Sequence, residues 1–209
     1  MDALSFRCTG CGNCCRALRV AVTASDVARL AAATARPPGE LVEWLSPSAV
    51  DMTGEPDSFV ELSAGRRLMV LAQSHGACRL LGEDDRCTVY AARPLDCQAF
   101  PFDFERERSQ AVRLQLLPLS GCDHAQDGQQ DSAALEAVDA QRWRELTSYQ
   151  LQVASWNRLV KHRRRLGHRA GSAAEFLMFA LGTLSAHSPA IQSGSASSSS
   201  QRRSISGSA

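Results

Sequence analysis

Eight cysteines constrain this chain more than any other feature: four are packed into Cys8-x-x-Cys11-x-x-Cys14-Cys15, and the rest are spread over Cys78, Cys87, Cys97 and Cys122. Two-residue gaps let a turning backbone aim successive thiolates at one centre, which is why zinc knuckles and iron–sulfur loops share them. Cys8, Cys11 and Cys14 are therefore expected to converge, with Gly10 and Gly12 letting the backbone wrap tightly around bound atoms. Cys14 and Cys15 are adjacent and are expected to point apart, which suggests two centres. Eight thiols make two four-ligand sites, each mixing the N-terminal loop with the 78–122 region. The spacing does not assign the split.

The alternative for so many thiols is disulfides, and the compartment decides between them. The N-terminal MDALSFRC offers no apolar run of the kind a signal peptide needs. The most apolar stretch, Phe176 to Leu181, is far short of the roughly 20 residues that span a bilayer. A cytoplasmic chain without membrane attachment is expected, and thiols are kept reduced there, so metal is preferred. A formal charge of +1 gives no general attraction to nucleic acid, and none is expected as a partner. Lys161 is the only lysine, which leaves little scope for Schiff-base chemistry.

Local signals outline an α+β fold: a small cysteine-cluster domain over residues 1–130, a helical C-terminal subdomain over 131–187, and a disordered Ser-rich tail over 188–209. Thr23 or Ser25 offers an N-cap, with Asp26 near the positive helix end, for a helix that Pro37 and Pro38 stop. A short helix is expected over Glu40 to Leu45. FVEL and RLMVLA read as a hairpin joined through Ser63 to Gly65. Residues 112–119 read as a strand and 124–130 as a polar linker. Helix-forming composition then runs from about Ser132 to Leu166 and reads as one long helix, with Ser148 the point at which it could break. Ser172 with Glu175 forms a capping-box pattern ahead of a last helix over about 173–186.

FRCTGCGNCCR together with CRLLGEDDRCTVYAARPLDCQAFPF resembles the YkgJ-type CxxCxxCC cysteine-cluster family, whose members are described as zinc- or iron-chelating. The resemblance covers roughly residues 6–125, and its second half rests on Cys87, Tyr90, Arg93, Pro94, Cys97, Phe100 and Pro101. It implies a metal centre, iron–sulfur or zinc, bound by the cysteines. A longer relative in that family is the flagellin lysine N-methylase, which uses S-adenosylmethionine, but no Gly-rich nucleotide loop is present here.

Four thiolates around a zinc ion, or around a four-iron cluster, leave a net charge near −2, which favours nearby cations. Arg7, Arg16, Arg79, Arg86 and Arg93 all neighbour a cysteine. Arg93, inside the motif, is the preferred residue to face the bound metal, and Tyr90 is a second candidate, as a hydrogen-bond donor to sulfur or substrate. A motif tyrosine is also a common core residue. Phe100 is expected to shield the cluster. His75 and His124 lie close enough to cysteines to ligate, although eight thiols already fill two sites. The run Lys161 to Arg165 reads as a solvated helical face.

No general acid, base or nucleophile stands out, so whether the chain is an enzyme is left open. The expected function is that of a metal-cluster protein, iron–sulfur preferred, serving a redox or enzymatic step on a protein or small molecule. The alternatives are a structural zinc module that recruits a partner, and an S-adenosylmethionine-dependent protein N-methyltransferase.

Overall fold

The computed structural model describes residues 5–50, 56–106, 112–117, 122 and 124–187. The chain enters through strand β1 (Ser5–Cys8) and the short helix α1 (Asn13–Ala17), then helix α2 (Ala24–Thr34), helix α3 (Pro38–Leu41) and strand β2 (Val42–Leu45). Strands β3 (Val60–Leu62) and β4 (Gly65–Leu71) form the expected hairpin, and β5 (Gln73–Ser74) with β6 (Ala77–Cys78) forms a smaller one. Helix α4 (Leu95–Ala99), strands β7 (Phe102–Arg106), β8 (Val112–Leu116) and β9 (His124–Gln129), and helices α5 (Ser132–Arg165) and α6 (Ala173–His187) complete it. The architecture is α+β, as expected. The serine-rich tail lies outside the described residues.

Helix α2 starts at a full capping box. The Thr23 hydroxyl accepts from Asp26 N–H at 3.2 Å, and the Asp26 carboxylate accepts from Thr23 N–H at 2.9 Å. Its apolar face, Val27 and Leu30, is wholly buried. Prolines at 37 and 38 do end that helix, but the second short helix occupies Pro38–Leu41 rather than 40–45. Val42 to Leu45 instead pair with Leu71 to Leu68 as a strand. The β-branched Val42 and the aromatic Trp44 suit that pleated surface better than a helical turn.

The order β2-β4-β3 leaves β3 at a sheet edge, and α5 covers it. Asn157 accepts from Glu61 N–H at 2.7 Å and donates to Phe59 O at 2.9 Å, while Trp156 Nε1 donates to Glu61 O at 2.8 Å. Side chains thus pair backbone groups that an open edge would present to other chains. Helix α5 runs unbroken through Ser148 for 34 residues, about 51 Å at 1.5 Å per residue. Its buried face contributes Tyr149, Val153, Trp156 and Val160 to the main core. Helix α6 begins at the predicted box, with Ser172 N–H donating to Glu175 at 2.6 Å. It delivers Phe176, fully buried, into edge-on contact with Trp44, Tyr149 and Trp156. Residues from α2, β2, β4, α5 and α6 therefore share one core.

The segment 124–130, expected as a linker, is largely strand. Its composition lacks apolar alternation, so the pattern could not show it. Pairing comes from β1, far away in the chain, with Cys8 opposite His124 and Arg7 opposite Ala125. Gly128 is required there, because an added Cβ would lie 2.3 Å from Phe6 O.

Candidate metal centre

A cavity of about 770 Å³ is lined by all eight cysteines. Cys8 is exposed and the other seven are half-buried. Different elements deliver them. Gly12, at φ 69°, caps α1 and turns Cys14 and Cys15 toward β6, which carries Cys78. No other residue fits at position 12, since a Cβ there would come within 2.6 Å of Asp85 O. That close approach, with the Arg16–Asp85 ion pair, ties the N-terminal loop to the loop of residues 80–88. Hydrogen bonds from Gly82 N–H to Arg86 O (2.8 Å) and from Thr88 N–H to Leu80 O (2.9 Å) tighten that loop and set Cys87.

Cys97 rides on α4, which Asp26 anchors from α2. The Asp26 carboxylate, 4% exposed, accepts from Leu95 N–H at 3.1 Å at the start of α4, besides its own cap. Arg29 binds Asp26 at 2.5 Å and Glu145 of α5 at 2.7 Å. Arg142 of α5 binds Asp96 at 3.1 Å and the buried Asp139 at 3.0 Å. Two arginines thus lock α2, α4 and α5 together behind the cysteine that α4 carries.

Cys14 and Cys78 lie within electrostatic reach of Cys15, Cys87 and Cys97, which makes a group of five thiols. Hydrogen bonding from the Cys15 thiol pulls Cys14 down to about 6 and Cys78 to about 7. Cys15 is correspondingly held protonated between them. Burial pushes Cys87 and Cys97 up, and neighbouring thiolates push Cys97 further. Cys14 and Cys15, expected to point apart, are in contact, because the short helix α1 turns both toward β6. Cys8 lines the same cavity from the β1–β9 ribbon.

Arg93 supplies positive charge where these anions gather and lowers both Cys14 and Cys87. Its guanidinium lies 3.8 Å over the Tyr90 ring and donates to Tyr90 O at 3.3 Å. Tyr90 is therefore a platform for Arg93 at the cavity wall, 56% exposed, and not a core residue. Phe100, expected to shield the cluster, lines the cavity, and Pro101 lines it too. The other cysteine-flanking arginines face solvent: Arg7 pairs with Asp127 at 2.8 Å, Arg79 is exposed, and Arg86 borders the cavity from an exposed position. His75 sits exposed in the β5–β6 turn, away from the cavity. The Asp26, Arg142 and Asp139 contacts behind Cys97 escape sequence reasoning; only the cap role of Asp26 has a local signal.

The donor set tests whether metal fits. Cys14, Cys15 and Cys78 shift one another's titration, so their thiols are neighbours, and a tetrahedral thiolate site would bring such sulfurs to about 3.8 Å from one another. Among the described residues no group of three or more His, Cys, Asp or Glu side chains is placed to hold a metal ion as it stands. The thiols line a cavity of the right chemistry, and a bound cation would draw in thiolates that otherwise repel one another. These features are those of a thiol-lined cavity whose donor chemistry suits a metal.

A family model described as "CxxCxxCC: Putative zinc- or iron-chelating domain" matches residues 7–115, just over half of the chain. The chain belongs to that family. No curated protein and no solved structure matches it.

Proposed function

We propose that the chain carries an iron–sulfur cluster on thiols drawn from Cys14, Cys15, Cys78, Cys87 and Cys97, and serves a redox or enzymatic step in the cytoplasm. The observation that carries this reading is a cavity lined by thiols and, among the described residues, by no imidazole, with five of the thiols within electrostatic reach through Cys14 and Cys78 and with Arg93 facing the anions. All-sulfur donor sets suit iron–sulfur clusters, and nearby cations and hydrogen bonds tune the potential. When bound, such a cluster supplies one-electron transfer or a Lewis-acid iron. The chain's own contribution is to hold the thiolates on separate elements, balance their charge through Arg93, and shield them with Phe100 and Pro101. The partner is a protein or a small molecule, with neither nucleic acid nor membrane involved. No helix among the described residues is long and apolar enough to cross a membrane.

Protein made and purified without oxygen is expected to be brown, to contain acid-labile sulfide, and to give a paramagnetic resonance signal in one redox state. Colourless anaerobic protein with stoichiometric zinc and no sulfide would replace this reading with a structural zinc module.

A further inference from the structure

The eight cysteines do not sit in one chemical setting. Cys78, Cys87 and Cys97 pack against the main core of α2, the sheet, α5 and α6. Cys122 packs against a separate apolar cluster of Phe6, Phe102 and Leu135. The β1–β9 ribbon places Cys8 directly across from His124, and Cys122 lies two residues before that histidine. Phe6, two residues from Cys8, stacks on the His124 ring at 5.2 Å. Strand alternation therefore gathers Phe6, Cys8 and His124 on one face, over the satellite cluster that also holds Cys122.

The ring orientation of His124 is informative. Its Nδ1 lies 3.2 Å from the backbone oxygen of Cys122. A carbonyl oxygen only accepts, so Nδ1 carries the proton, and in the neutral ring Nε2 keeps a lone pair. A metal-binding histidine is commonly held in this way, its other nitrogen donating to a backbone carbonyl that fixes tautomer and orientation. Cys11 follows Cys8 by the two-residue gap of a chelating knuckle, with Gly10 between them at φ 72°.

We propose that Cys8, Cys11, Cys122 and His124 form a second metal site, separate from the five-thiol group, with a three-sulfur, one-nitrogen donor set suited to a zinc-class divalent ion. This rests on the reading that the cysteines bind metal, and it assigns the split that spacing leaves open. Both sites still combine N-terminal and distal ligands, which explains why the Cys8–Cys15 run is shared between them. Three soft sulfurs and an imidazole match the tetrahedral zinc preference, whereas the all-sulfur group suits iron as well.

The test is cobalt(II) titration of the full, metal-free, reduced chain, followed by its visible absorption and by circular dichroism. The wild type is expected to take two equivalents. His124→Ala and Cys122→Ser are each expected to lose one and keep the other, while Cys87→Ser combined with Cys97→Ser loses the complementary equivalent. Cadmium NMR of the unsubstituted chain needs no variant to fold: two resonances are expected, one displaced upfield because a nitrogen replaces a thiolate. His124→Ala with two equivalents and an unchanged spectrum would overturn the proposal. So would a single cadmium environment, or loss of both equivalents in well-folded Cys122→Ser. Absence of any metal binding would instead remove the broader metal reading, and this assignment with it.

Discussion

Asp26→Ala probes how the fold holds Cys97 in place. The carboxylate uses both oxygens: Oδ2 accepts from Thr23 N–H and Oγ–H, and Oδ1 accepts from Leu95 N–H and Arg29. Alanine leaves the Thr23 and Leu95 amides without these acceptors in a site that is 4% exposed. An orphaned buried donor costs about 1–3 kcal/mol, so two give roughly 2–6 kcal/mol. The Arg29 pair adds little, because that side chain is 31% exposed and retains Glu145. The expected loss is about 3 kcal/mol, near the low end because water reaches a freed helix start. Asp26→Asn keeps only one accepting oxygen, so roughly half that loss is expected. Urea unfolding of the metal-loaded proteins, followed by the fluorescence of Trp44 and Trp156, reads the difference. Competition with a chelator should show weaker metal binding too, since Leu95 N–H anchors the helix carrying Cys97. A shift below about 0.5 kcal/mol with unchanged metal affinity would refute the anchoring argument.

Exhaustive chelation is expected to lower the melting temperature, because the gathered thiolates repel one another without a cation; an unchanged melt would contradict metal-coupled folding. The Tyr149 hydroxyl is buried without a hydrogen-bond partner, and burial pushes its pKa up. Tyr149→Phe should therefore be neutral or stabilising by about 1 kcal/mol, and a loss above that in thermal melts would reveal a partner. Glu175, lowered from 4.5 chiefly by the Ser172 backbone amide, contributes stability that is present above its unfolded pKa. That contribution falls away as pH drops through the lower folded value. Glu175→Gln should flatten this acid limb of the melting profile, and an identical pH dependence in both proteins would exclude the box as its source. Gly171→Ala should destabilise by about 1–3 kcal/mol, since its Cβ would come within 2.4 Å of the packed Trp156 ring; wild-type stability would contradict that packing.

Signals confined to a few neighbouring residues are legible in the sequence. The Thr23 and Ser172 boxes, the turn at Ser63 to Gly65, and the period of α5 and α6 all act over one or two turns of chain. The cysteine spacings likewise point to metal chemistry by themselves, because a two-residue gap is itself a local constraint on where thiolates can aim. What tertiary structure decides lies across long separations. The polar strand β9 exists because β1, some 120 residues away, supplies its hydrogen bonds, as the Arg7–Asp127 contact across the ribbon shows. Asp96 meets Arg142 across 46 residues, and Asp26 meets Leu95 across 69. Neither partner marks the other, because an ion pair or a capped amide leaves no periodic trace. The grouping of Cys14 and Cys15 with Cys78, and of Cys8 with His124, is of this second kind. Spacing sets which thiols can chelate, but only the packing of α1 on β6 and of β1 on β9 selects which ones meet.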